Sequence, residues 1–309
     1  MIVLSKIITP HDGPASAILA VVVLLLLDSG HVYVSGWRTF RVAEDNPSFS
    51  RFLILLPLVF AASFAWLASG WPGFWSFVIY FTVFHHIRQF YGVSRWYQHR
   101  NHRQCVWSNR FIYALLILPI AAFHFRRNWN FQIYRPGDIL RFPSQTAFKV
   151  VLAIWILCLA AWLTFELRLW IQGTREPNRF LSILAPAALH GLCFFLGRNA
   201  VEVLFPLFAV HGVSYLAITV HGVRAIDSKG WRKNVGVVSV LVIGTAGLAG
   251  LWDSFIGDFD FAGAHTGATA VVVQALLSAV LIAPNLWHYI VDGMMWKRDD
   301  PGALLIYGK

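Results

Sequence analysis

The chain has 309 residues, of which 57% are hydrophobic and 13% charged, with a formal net charge of +10. Soluble domains carry roughly a quarter charged residues, so this balance excludes an aqueous globular protein. The basic residues lie in short loops beside apolar runs rather than along one polar face, which argues for membrane topology and against a nucleic-acid partner.

Apolar runs long enough to cross a hydrocarbon core of about 30 Å predict spans at about 15–36, 51–69, 72–94, 110–125, 148–168, 180–197, 201–223, 235–253 and 268–295. The expected fold is therefore all-α: a polytopic transmembrane helical bundle of about nine spans, forming a single integral membrane domain over 1–309. The first run follows Lys6 and the polar stretch Thr9 to Gly13 without a small-residue cleavage site, so it is expected to be kept as a span. The second and third are joined by Ser69-Gly70-Trp71-Pro72-Gly73, too short for anything but a tight hairpin. Cys105, Cys158 and Cys193 form no CxxC pair, and no disulfide framework is expected.

Basic residues set the orientation. With the N-terminus outside, the loops expected in the cytoplasm hold Arg38, Arg41 and Arg51, then Arg95, Arg100, Arg103 and Arg110, then Arg168, Arg175 and Arg179, then Arg224, Lys229, Arg232 and Lys233. Lys297 and Arg298 place the C-terminus inside, and the expected location is a bacterial inner membrane. The segment 126–147 departs from this pattern: Arg126, Arg127, Arg135 and Arg141 fall on the side assigned as external. It reads as a re-entrant or interfacial excursion, or as an error in the helix count. Trp37, Trp71, Trp96, Tyr97, Trp170 and Trp296 cluster near span ends, as interfacial belts do.

Of the 12 histidines, His11, His99, His102, His124 and His265 fall in loops or at their edges, whereas His31, His85, His86, His190, His211, His221 and His288 fall within apolar spans. An ionisable group in hydrocarbon is costly enough to face the bundle interior and to need a partner. An interhelical hydrogen bond is the ordinary explanation for any one of them. Several together point to a metal site, because neutral imidazole is the commonest side-chain ligand and a bundle site takes one inward ligand per helix at matched depth. His31 precedes Arg38 by seven residues, and His86 and His288 precede Arg95 and Lys297 by nine, so the three lie within one turn in height. His190 and His211 lie slightly deeper, and His221, three residues from Arg224, lies near the rim. The expected ligands are His31, His86, His211 and His288, with His85, His190 and His221 as further candidates. Of the adjacent pair, about 100° apart on a helix, His86 is preferred.

Asp28, three before His31, and Asp292, four after His288, share helix faces with those histidines and fit the role of carboxylates that orient ligands. A plain Asp–His hydrogen bond would use the same spacing. Tyr215, four after His211, and Arg88, two after His86, are the candidate catalytic groups; Tyr215 could instead merely pack, and Arg88 snorkel to the headgroups. An imidazole-rich, thiolate-free set suits iron, zinc or copper, with haem the less favoured cofactor. In a dry site fed laterally by the bilayer, oxygen chemistry on an apolar substrate makes iron the expected metal.

The run Pro284-Asn285-Leu286-Trp287-His288-Tyr289-Ile290-Val291-Asp292-Gly293-Met294-Met295-Trp296-Lys297 resembles the last helix of the Brp/Blh family of bacterial membrane beta-carotene dioxygenases, where a Pro and a His are followed four residues after the His by Asp. The resemblance is close over 284–297, and elsewhere extends to the order of elements, with His31 early, His86 in the third span and His211 in the seventh. The family's HxxxH pair stands here as His211-Gly212-Val213-Ser214-Tyr215, and its HFGxxD run as His86-Ile87-Arg88. The resemblance implies a helical membrane bundle with one histidine-bound non-haem iron. The expected function is an iron-dependent membrane oxygenase or oxidoreductase acting on an apolar lipid or isoprenoid drawn from the membrane lipid. The alternatives are a proton- or ion-coupled transporter and a haem-binding membrane subunit.

Overall fold

The computed structural model describes residues 30–36, 50–100, 105–127, 133–134, 137–198, 200–226, 236–237, 239–240, 244 and 268–295. Among the described residues every regular element is helical: a segment at 30–36, then α1 (Ser50–Ala68), α2 (Phe74–Arg100), α3 (Val106–Phe125), α4 (Gln145–Ile171), α5 (Pro177–Gly191), α6 (Ala200–Ile226) and α7 (Ala268–Met295). Five helical stretches are long and apolar enough to cross a membrane: Val106–Phe125, Gln145–Ile171, Pro177–Leu196, Glu202–Thr219 and Val271–Met294. The chain is thus an integral membrane protein. Of the other four expected spans, 51–69 is a shorter apolar helix. The span expected at 72–94 forms α2, a helix of 27 residues, but His85, His86, Arg88, Gln89 and Arg95 make it too polar to count on hydropathy. The runs 15–36 and 235–253 lie mostly outside the described residues.

Helix ends follow local chemistry. Ser144 caps α4, its hydroxyl accepting from the Ala147 amide, and Pro177 opens α5 where no helical N–H is needed. Between α1 and α2 the chain turns through Gly70 (φ 68°) and Gly73 (φ 93°), the left-handed conformation that a Cβ disfavours, as expected for a tight hairpin.

Two compact units share α2 and α6. The first holds residues up to Thr82, the stretch Ile133–Asp138 and everything from Phe208 onward. Here α7 lies along α1: Phe52, Trp287 and Val291 are buried together, and the Trp287 indole donates to the Phe52 carbonyl at 2.7 Å. The start of α2 packs on α7 through Phe74, Trp75 and Val78 against Ile282 and Leu286, and Thr82 donates to the Tyr289 hydroxyl at 3.1 Å.

The second unit runs from Val83 to Gln132 and from Ile139 to Leu207. α3 packs on α4 and α5 around Ile112, Leu115, Leu116, Trp162, Ile183 and Ala187. Pro119 in α3 has no N–H to offer the Leu115 carbonyl, and the Trp155 indole of α4 donates to it instead at 3.0 Å. The α4–α5 hairpin is closed by a buried ionic group: Arg179 donates to Glu166 at 2.7 Å and Glu176 at 3.3 Å, and the Ser108 hydroxyl of α3 donates to Glu166 at 3.2 Å. The outer face of α4 exposes Val150, Ile154, Leu157, Leu163 and Leu167, the apolar surface a lipid-facing helix presents.

After Gly191 the helix widens into a π-turn, Leu192–Leu196. The carbonyls at its end are met by Arg126, which donates to Phe194 at 3.1 Å and Gly197 at 2.6 Å. Burial pushes this guanidinium down from its ordinary value, and Glu202 opposes the shift. Arg126 opens the basic segment 126–147 that departs from the orientation pattern, and here its charge serves as a cap. A Cβ at Gly197 would lie 2.5 Å from the Cys193 carbonyl, so the π-turn closes only on glycine.

Candidate metal centre

Three elements of the first unit bring imidazoles together. The segment 30–36 carries His31, α6 carries His211 and α7 carries His288, all buried to 1% exposure or less. His31 Nε2 lies 3.0 Å from His288 Nε2 and 3.0 Å from His211 Nε2. The rings meet edge to face, with centroids 4.7 Å and 4.6 Å apart. His31 Nε2 carries either one proton or one lone pair, so it can make a full hydrogen bond with only one of these two neighbours. Charging the group would place an imidazolium in a dry interior. A cation accepting all three lone pairs resolves the conflict, and neutral imidazole is the ligand form it takes.

One helical turn beyond each histidine stands a polar residue at the same spacing of four: Ser35 after His31, Tyr215 after His211 and Asp292 after His288. These also meet. Ser35 hydrogen-bonds the Tyr215 hydroxyl, and the Tyr215 hydroxyl donates to Asp292 Oδ1 at 3.2 Å. Asp292 Oδ2 faces His288 Nδ1 at 3.6 Å. Contacts at both levels require the three helical segments to run in the same direction, because an antiparallel segment would carry its residue four positions on away from the others. The result is a tier of histidines backed by a tier of oxygen groups.

His85 and His86 are both buried on the part of α2 that belongs to the second unit, with ring centroids 6.2 Å apart. Adjacent helical residues point about 100° apart, so the two rings meet different surroundings.

The other expected residues lie elsewhere. His190 sits in the second unit with Nδ1 3.2 Å from the Leu116 carbonyl and Phe90 and Phe194 against its ring, and it is not in the group. Its helix face turns it into an apolar core. Arg88 is exposed, donates to the Tyr113 hydroxyl and lies over the Tyr91 ring at 5.0 Å; it is a rim residue of the second unit. The side chain of His221 and the whole of Asp28 lie outside the described residues. Ser35 was not singled out in the sequence, although the spacing of four that marks Asp292 and Tyr215 marks it equally. No protein-family model, no curated protein and no solved structure matches the chain.

Proposed function

We propose that this protein is a membrane oxidoreductase in which His31, His211 and His288 hold one iron ion that acts with oxygen on an apolar lipid or isoprenoid substrate. The observation that carries the reading is that His31 Nε2 lies 3.0 Å from both His288 Nε2 and His211 Nε2 in a buried interior. An imidazole, thiolate-free donor set suits iron, and a metal held by these residues alone would keep positions open for a bound substrate.

The chain's own residues bury the donors away from water, and Asp292 would balance part of the metal's charge. Iron, when bound, would supply the activation of oxygen. The setting supports the substrate class, because a site inside a bilayer is reached by molecules dissolved in it. The resemblance of 284–297 to a carotene dioxygenase helix, which contains His288 and Asp292, agrees with it.

The test is elemental analysis and optical spectroscopy of the full-length protein purified in detergent. Near-stoichiometric iron is expected in the wild type, lost in His211→Ala and His288→Ala and kept in His190→Ala. A metal-free wild type that also fails to take up added Fe(II), or stoichiometric metal retained in both ligand variants, would overturn the reading. A haem spectrum would replace it with the haem-binding alternative.

A further inference from the structure

We infer that Tyr215 and Ser35 are positioning residues, forming with Asp292 a directed hydrogen-bond chain that fixes His288 to bind metal through Nε2. The inference rests on the metal reading above. It assigns Tyr215 a role away from the reacting atoms, and it gives Ser35 a role for the first time.

The direction of the chain follows from counting hydrogens. The Tyr215 phenol donates to Asp292 Oδ1 across 3.2 Å. The phenol has one hydrogen, and with it committed to Asp292 its oxygen can only accept from Ser35. Ser35 has one hydrogen too, shared between Tyr215 and the His31 carbonyl at 3.1 Å, a contact back to the preceding turn of its own helix. From Ser35 through Tyr215 the donated hydrogens thus run towards Asp292.

At the end of the chain, Asp292 Oδ2 faces His288 Nδ1 at 3.6 Å. That is longer than a hydrogen bond, so the interaction is electrostatic at this separation, but its sign is fixed. A carboxylate oxygen repels a lone pair on Nδ1 and favours an N–H there, leaving the lone pair on Nε2, the atom 3.0 Å from His31 Nε2. Rotation of the Asp292 carboxylate would lose that selection, and Tyr215 prevents it by holding the other oxygen. The four residues Ser35, Tyr215, Asp292 and His288 are all buried, Asp292 being the most exposed at 5%, so bulk water does not compete for these contacts. A phenol with its hydrogen held by Asp292 is also not placed to be a ligand or a proton donor to substrate.

Cobalt(II) loaded into the full-length protein in detergent reads this arrangement, because its visible bands report ligand geometry and basicity. Tyr215→Phe is expected to keep one cobalt per chain, to bind it roughly 10-fold more weakly and to shift the bands, within the about 10–100-fold range typical of residues that orient metal ligands. Ser35→Ala, which leaves the Tyr215–Asp292 bond in place, is expected to shift the bands in the same direction by less. Asp292→Asn should weaken binding more than either. If Tyr215→Phe does not fold, Ser35→Ala and Asp292→Asn carry the comparison, and wild-type bands and affinity in both overturn the inference. So do wild-type bands and affinity in Tyr215→Phe, or a collapse of its bands as complete as in His288→Ala, which would make the phenol a ligand. A wild type that binds no cobalt refutes the metal centre itself and the inference with it.

Discussion

Two buried histidines, His211 and His190, divide the roles open to an imidazole in a membrane. His211 meets a second imidazole nitrogen at 3.0 Å, whereas His190 lies against the Leu116 carbonyl and the rings of Phe90 and Phe194. His211→Ala is therefore expected to lower metal affinity at least about 10-fold, whereas His190→Ala should leave affinity unchanged and act only on stability. Titration of each purified variant with Fe(II) or Co(II) separates them, and equal losses would remove His211 from the site. Spacing to the nearest basic residue orders His31, His211 and His288 in height, because helical rise is uniform. It carries no information on azimuth. That is why His190, expected at a similar depth, turns out to point at Leu116. Ser35 was hidden for a different reason: a single small hydroxyl in an apolar run is common, and only the repeat of the four-residue spacing on three helices gives it meaning.

At the scale of elements, the hairpin between α4 and α5 depends on one charged residue that the sequence assigned to topology. Arg179 is counted among the cytoplasmic basic residues, yet it is buried to 2% exposure against Glu166 and Glu176. Removing one member of a buried ionic group leaves an uncompensated charge, so Arg179→Ala should destabilise the protein by about 3–5 kcal/mol. Arg168→Ala, on the exposed side of the same hairpin, should stay within about 0.5 kcal/mol. Thermal or denaturant unfolding in detergent checks both, and equal stability of the two variants would show that the buried group does not hold the hairpin. Charge counting cannot distinguish these arginines because it uses position along the chain and not side-chain burial. The same holds for Arg126, which caps the π-turn carbonyls. Helix positions were far easier to read than charges, since runs of apolar residues such as Gln145–Ile171 are set by the bilayer itself.

For the whole molecule, the histidine tier joins parts of the chain that nothing local holds together. His31, His211 and His288 come from three helical segments far apart in sequence, and their shared contacts lie in the first unit. The second unit has its own closed apolar core around Leu115, Leu116 and Trp162, with Arg179 and its carboxylates at the hairpin end. A ligand that binds only the folded state stabilises it by about 2.7 kcal/mol at a concentration of 100 Kd. Here that stabilisation acts on the helices supplying the ligands. On the metal reading proposed above, stripping the metal with a chelator should therefore lower the melting temperature and raise hydrogen exchange in 30–36, in 208–219 and in 280–294. Amides of α3 and α4, held by helix packing and not by the centre, should exchange as before. Hydrogen exchange with peptide-level resolution, on metal-loaded and chelated protein, gives the comparison directly. An increase spread evenly over α3 and α4 as well would mean that the two units unfold as one cooperative body, and that the metal stabilises the bundle rather than the site.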